Sequence, residues 1–334
     1  MSGDPGGRYD VVTLGETMLR LSPPVNRRLE QTLHFEVEIG GSESNTAVGL
    51  SRMGLRAAWL SRMTDNAPGR IVTRLIGAQG VDVSHVAWTR EDRVGVFYFE
   101  EARPPRPSRV VYDRAGSACS RMTPADLPAA LFVPGAARLL HLTGITLALS
   151  ATAADTCLAA LARARAAGWW ISVDLNYRSL LWTPAQAAVG LAPALAEADL
   201  VFAPWGDVQA LYPGAASPEL GLRAMRARAP RATLVMTAGA AGSLALAAGS
   251  EEIVTQPAFE ATEVTRLGGG DAFSAGFLYG WLTDSDGPAR LARALRYGAA
   301  LAALKYTIPG DLPLVDAADV HALAESGRTA RLVR

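Results

Sequence analysis

Leu267-Gly268-Gly269-Gly270-Asp271-Ala272-Phe273-Ser274-Ala275-Gly276 sets three glycines directly ahead of an apolar helical pattern that runs to about Trp281. Glycine lets the backbone approach a ligand closely, and the first amides of a helix have no internal acceptor. Together with the helix dipole they make an anion site, and Asp271 stands beside it. A carboxylate next to an anion site suits phosphoryl transfer: the base takes a hydroxyl proton while backbone donors neutralise charge on the moving group. The plain structural alternative is an aspartate capping a helix. The spacing is neither the Gly-x-Gly-x-x-Gly dinucleotide fingerprint nor the Gly-Lys-Ser/Thr phosphate loop.

Around this turn, short apolar runs alternate with helical patterns. Strands are expected at 9–14, 57–60, 139–142, 170–175, 200–203 and 233–237, and helices at 46–53, 69–79, 153–167 and 185–196. That rhythm predicts an α/β fold with a mainly parallel sheet covered on both faces, which places ligands at the carboxyl ends of its strands. The stretch 86–112 differs: the runs 94–100 and 109–112 are rich in valine and aromatics, with no helix between them. With 16–21 and 34–39 it predicts a small antiparallel patch. The whole chain, 1–334, reads as one domain, the patch being drawn from about 16–40 and 86–115.

Composition narrows the function classes. The 334 residues carry 32 basic and 32 acidic side chains, so no nucleic-acid or polyanion partner is indicated. Lys305 is the only lysine. Two cysteines and four scattered histidines give neither a disulfide framework nor a zinc motif. Residues 1–8 are polar and glycine-rich, unlike a signal peptide, and no uninterrupted apolar stretch suits a bilayer, so a cytoplasmic setting without membrane association is expected.

The glycine turn resembles the Gly-Ala-Gly-Asp signature of the PfkB/ribokinase family, in which that aspartate is the catalytic base. An earlier stretch, Gly40-Gly41-Ser42-Glu43-Ser44-Asn45-Thr46-Ala47, is similar to the family's Gly-Gly signature. The two stand in the family's order, and the resemblance spans Leu14 to about Asp311. It implies a ribokinase-like three-layer α/β/α domain whose β patch is a lid over the sugar. It also implies ATP and Mg²⁺, Asp271 as base, and Gly268, Gly269 and Gly270 as anion hole.

Within the family the likeness is greatest to 2-keto-3-deoxygluconate kinases. It rests on Leu14-Gly15-Glu16-Thr17-Met18, Tyr112-Asp113-Arg114, Asp174-Leu175-Asn176-Tyr177-Arg178 and Lys305-Tyr306-Thr307-Ile308-Pro309-Gly310-Asp311. A sugar acid carries a carboxylate that a planar guanidinium can hold with paired hydrogen bonds. Arg114 and Arg178 are therefore expected at the substrate, with Gly40, Gly41, Asn45, Phe97, Tyr112 and Asn176, and the product would be 2-keto-3-deoxy-6-phosphogluconate. For the nucleotide the resemblance implies Thr237, Gly239, Gly242, Gly268 and Gly270, with Asp207 serving the metal. An adenine pocket is expected near 238–242 and 295–303.

The sequence departs from the family at three places. Pro204-Trp205-Gly206-Asp207 replaces Asn-x-x-Glu, Thr265 stands where an acidic residue is usual, and Thr237 stands where a basic residue often precedes Gly-x-x-Gly. Two alternatives stay open: a kinase for a neutral sugar such as fructose or ribose, and a non-catalytic sugar-acid-binding protein on a kinase fold. The lid's open edges offer a face for a homodimer.

Overall fold

Runs of buried apolar residues bounded by turns set the framework. The structure is a computed structural model that describes residues 8–283 and 289–327; the polar segment 1–8 assessed above lies outside it except for its last residue. The chain opens with β1 (Tyr9–Leu14), β2 (Met18–Ser22), β3 (Glu36–Gly40), α1 (Ser42–Arg52), β4 (Ala57–Leu60), β5 (Arg62–Thr64) and α2 (Ala67–Gly77). Next come β6 (Ala87–Thr89), β7 (Val96–Glu100), β8 (Arg109–Asp113), β9 (Ala137–Thr143), α3 (Gly144–Ala148), α4 (Ala151–Ala166) and β10 (Trp170–Asp174). The remainder holds α5 (Pro184–Glu197), β11 (Leu200–Phe202), α6 (Trp205–Leu211), α7 (Pro218–Met225), β12 (Thr233–Thr237), β13 (Ser243–Leu246) and β14 (Ile253–Gln256). It closes with α8 (Gly269–Thr283), α9 (Arg290–Tyr306) and α10 (Ala317–Ser326).

Eight strands form one sheet in the order β14-β13-β12-β11-β10-β9-β1-β4. From β12 to β4 all neighbours are parallel, and β13 and β14 add an antiparallel edge. Successive side chains of a strand point to opposite faces, and both faces here are covered. Val11, Trp59 and Leu139 pack with Phe277 and Leu301 of α8 and α9. Val12, Leu60 and Leu140 pack with Leu161, Leu191 and Leu222 of α4, α5 and α7. Sheets covered on both faces draw such near-continuous apolar strands, and each buried aliphatic side chain contributes about 1.5–3 kcal/mol of transfer free energy. The fold is thus three-layered, helices on both faces of one mainly parallel sheet. Among the described residues no helix is long and apolar enough to cross a membrane.

A second sheet, β3-β2-β7-β8, stands apart from the first. The expectation of an antiparallel patch needs correction. β2–β3 and β7–β8 are antiparallel, but the central pair β2–β7 is parallel. The reason is connectivity: the chain leaves β3 for the main sheet and re-enters only after a long crossover, which permits a parallel pairing. The helix expected at 46–53 begins at Ser42, directly after Gly41, because polar residues fill its first turn and mask the apolar period. The helix expected at 69–79 begins at Ala67, where the Asn66 side chain accepts from Gly69 N at 3.1 Å.

Candidate active site

The N-terminal turns of α1 and α8 meet above the carboxyl ends of the parallel strands. Asp271, in the first turn of α8, has both carboxylate oxygens held by α1. Ser42 Oγ donates to Oδ1 at 2.5 Å and Asn45 Nδ2 to Oδ2 at 2.7 Å. Asn176, just past β10 in a left-handed conformation (φ 39°), donates to Ser42 Oγ at 2.7 Å. Burial raises the Asp271 carboxyl above its ordinary value; the Ser42 and Asn45 hydrogen bonds, then the charges of Arg178 and Lys305, oppose it. A carboxylate so placed is a stronger base than one in water, and its lone pairs are fixed in direction.

The glycines before Asp271 are each constrained differently. Gly268 has φ +71°, and a Cβ there would lie 1.9 Å from Asp311 O. A Cβ on Gly269 would lie 2.2 Å from the Tyr306 ring, whereas one on Gly270 would meet nothing within 4 Å. The turn is therefore packed from below by residues 306–311 and open at Gly270. Among the first-turn amides of α8, Gly269 N donates to Arg266 O at 3.2 Å and Ala272 N to Gly268 O at 2.9 Å, which leaves Gly270 and Asp271 without a backbone acceptor among the described residues.

A cavity on one side of the turn is lined by Gly40, Gly41, Asn45, Phe97, Tyr112, Arg114, Arg178, Gly268 and Asp271, together with Glu16 and Asp311. Its walls come from β2, β3, β7 and β8 of the small sheet on one side and from α1, α3, α8 and neighbouring loops on the other, so the small sheet closes one side of it. Phe97 and Tyr112 are cross-strand partners on β7 and β8, with ring centroids 5.8 Å apart. The two arginines are not equivalent. Arg114 Nε donates to Glu16 Oε2 at 2.8 Å, its Nη2 donates to the same oxygen, and Ser117 holds the other oxygen. Glu16 is 3 % exposed, and a buried carboxylate requires such a counter-ion. Arg178 Nη1 donates to Tyr177 O at 3.0 Å, and the guanidinium faces the cavity without an ion pair among the described residues. Both arginines expected at the substrate line this cavity, Arg114 paired with Glu16 and Arg178 near the Asp174, Asp207 and Asp271 carboxylates, whose charged forms it favours.

A second cleft opens on the other side of the turn. Thr237, Gly239, Gly242, Phe259, Ala299, Ala302, Ala303 and Tyr306 line it, and Gly269 and Gly270 form its border. Small residues on α9 leave a flat slot there. Gly242 (φ +92°) admits no side chain, since a Cβ would lie 2.3 Å from Gln256 O, and the space over Gly239 is open. Such a slot suits a purine base and its phosphates. Asp207 lines neither cavity; its Oδ2 accepts from Tyr177 N at 2.9 Å. Burial raises both it and Asp174 above their ordinary values, Asp174 strongly. Among the described residues no cluster of three acidic, histidine or cysteine side chains could hold a metal. An ion held mainly by phosphate and water oxygens would suit Mg²⁺, which retains several waters.

Sequence reasoning did not single out Ser42, Glu16 or Asp311, although each lies inside a quoted motif. The available signal was position: Ser42 sits between Gly41 and Glu43 at a helix start, where side chains turn toward the neighbouring helix terminus.

Comparison with known proteins places this geometry in context. The model of the pfkB family carbohydrate kinases matches residues 8–316. The 2-dehydro-3-deoxygalactonokinase of Haloferax volcanii is 37% identical over 318 residues, covering 95% of this chain and 97% of that protein. The 2-dehydro-3-deoxygluconokinase of Bacillus subtilis is 30% identical, over 91% of this chain and 92% of its own length. The crystal structure of 2-dehydro-3-deoxygluconokinase from Thermotoga maritima superposes with a TM-score of 0.86 at 30% identity, covering 95% of this chain and 98% of that one.

Proposed function

The chain belongs to the pfkB family of carbohydrate kinases, and from this premise we propose that it transfers the γ-phosphoryl group of ATP to the terminal hydroxyl of a 2-keto-3-deoxyhexonate. One observation carries the reading: the Gly268–Gly270 turn separates a cavity holding Asp271 from a slot lined by small residues. An acceptor hydroxyl in the first cavity loses its proton to Asp271 while its oxygen bonds to phosphorus, and the bond between phosphorus and ADP breaks. Amides of the turn neutralise the charge that develops on the phosphoryl oxygens. Mg²⁺, when bound with the nucleotide, would screen the phosphate charges. The small sheet excludes water from the cavity and so limits hydrolysis.

The substrate class follows from Arg178, whose guanidinium faces the acceptor cavity and suits a carboxylate, and from the names of the relatives. The gluconate and galactonate epimers differ at one hydroxyl and share this recognition. One observation favours a neutral sugar instead: Arg114 is engaged by Glu16, which lowers the cationic character of the cavity. The same small sheet leaves Val37 and Val111 half exposed on β3 and β8, and homodimerisation through that face belongs to the proposal; sedimentation equilibrium showing a monomer would remove it.

The test is ATP-dependent phosphorylation of both epimers, of gluconate, fructose and ribose, beside Asp271→Ala. Turnover confined to keto-deoxy acids and lost in the variant is expected. Turnover on neutral sugars alone would discard the carboxylate reading, and none on any acceptor would discard the kinase reading.

A further inference from the structure

Arg20 lies on the buried stripe of β2. Met18, Arg20 and Ser22 face inward there, and Leu19 and Leu21 face outward. On the same stripe Met18 packs on Phe97 and Phe99. Arg20 is only 4 % exposed. A guanidinium in such a place persists only where its donors are met, and here they are. Nε donates to Ser22 Oγ at 3.0 Å, Nη2 lies 3.3 Å from Glu38 Oε2, and Cζ sits 4.7 Å from the Phe99 ring centroid. These partners all belong to the small sheet. The fourth does not: Nη1 donates to Asp311 Oδ1 at 2.7 Å, across 291 positions of sequence.

Asp311 touches the catalytic apparatus on two sides. Its Oδ2 lies over Gly40, where a Cβ would be 2.6 Å away, and it lines the acceptor cavity. Its backbone carbonyl packs against Gly268 so closely that a Cβ there would be 1.9 Å distant. The loop carrying it is tied further by Lys305, fully buried, whose Nζ donates to Ile308 O at 3.2 Å. One guanidinium on the cover sheet thus reaches a carboxylate whose own backbone supports the anion-binding turn.

We propose that Arg20 is a positioning residue which, through Asp311, fixes the Gly268–Gly270 turn in its anion-binding geometry only while the small sheet is seated over the acceptor cavity. The inference rests on the kinase reading for its meaning, though the mechanical coupling stands apart from it. When the sheet lifts, Asp311 loses its counter-ion, the 306–311 segment loosens and the turn loses its floor. Phosphoryl transfer is thereby tied to cover closure, which disfavours transfer to water.

The test compares wild type, Arg20→Lys, Arg20→Met and Asp311→Asn by hydrogen exchange and by kinetics. In Arg20→Met, exchange should rise about tenfold or more in peptides covering 265–271 as well as in β2 and β3. Arg20→Lys, which keeps a charge at the site, should stay within about threefold of wild type, and kcat should follow the same order with little change in KM. Arg20→Met combined with Asp311→Asn should be no worse than Arg20→Met alone, because both cut one connection. Exchange that rises only in β2 and β3, or additive effects in the double variant, would overturn the coupling. If Arg20→Met does not fold, Asp311→Asn and Arg20→Lys carry the same comparison. Wild-type silence toward every acceptor would defeat the kinase reading, while the exchange data would still decide the coupling.

Discussion

Replacing Glu43 by glutamine should change how stability depends on pH, and the amount can be worked out. Glu43 follows Ser42 in α1 and is 1 % exposed. Its Oε1 accepts from Thr143 N at 3.1 Å, Thr143 Oγ1 at 2.9 Å and Thr146 Oγ1 at 2.7 Å, whereas Oε2 is buried without a partner. Burial, against those hydrogen bonds, pushes the carboxyl from an ordinary 4.5 to about 7. The folded protein therefore keeps a proton that the unfolded chain releases between pH 4.5 and 7, and stability falls as pH rises through that window. A gap of about 2.5 at 1.36 kcal/mol per unit gives roughly 3 kcal/mol lost by pH 8. Glutamine keeps the acceptor and cannot ionise, so this slope should vanish; its buried amide donor costs about 1–3 kcal/mol at every pH. Urea unfolding at pH 5 and pH 8 measures both variants. The wild-type minus variant difference should shift by roughly 2.5 kcal/mol between the two pH values, with the variant gaining on wild type at pH 8. A difference that stays constant would refute the reasoning, since other titrating groups cancel in the comparison.

Asp271→Ala should lower kcat by about a thousandfold or more while leaving nucleotide affinity, measured by calorimetry, within a few-fold, because the slot beyond the turn does not use its carboxylate. Gly268→Ala should destabilise the fold and abolish turnover, since φ is +71° and a Cβ would collide with Asp311 O. Gly270→Ala meets nothing within 4 Å and should fold with a near-normal Tm, yet lose turnover as its methyl enters the opening beside the turn. Arg178→Ala should raise KM for a keto-deoxy acid by about tenfold or more with little effect on any neutral sugar, whereas Arg114→Ala should also lower Tm by leaving Glu16 buried without its counter-ion.

What could be read from the sequence was what local chemistry constrains. The three glycines before Asp271 announce a turn because glycine is tolerated there for reasons confined to a few neighbouring atoms, and Gly268 and Gly269 prove sterically obligatory. The parallel strands were legible because burial on both faces forces apolar runs. β13 and β14 escaped notice: Ser243–Leu246 and Ile253–Gln256 are four residues each, too short to display a period. The parallel β2–β7 pair depends on a crossover that no window of sequence contains.

Pairings between distant charges were the least legible, and they decide the chemistry. Arg114 and Arg178 look alike in sequence, each within two residues of a tyrosine in a quoted motif, yet Glu16 pairs with one, 98 positions away, and among the described residues no ion pair engages the other. Since a guanidinium already bonded through two of its nitrogens has fewer donors to offer, the proposed recognition of an acid rests on Arg178 rather than on Arg114. The same logic explains Arg20, which sequence alone presents as a polar residue in a short strand. Its significance arises only when folding brings Asp311 to its guanidinium and Gly268 to the back of Asp311. A site built this way shows its reactive group in a conspicuous motif while the supporting roles of Ser42, Glu16 and Arg20 appear only in the fold, so substitutions at these three positions should alter turnover.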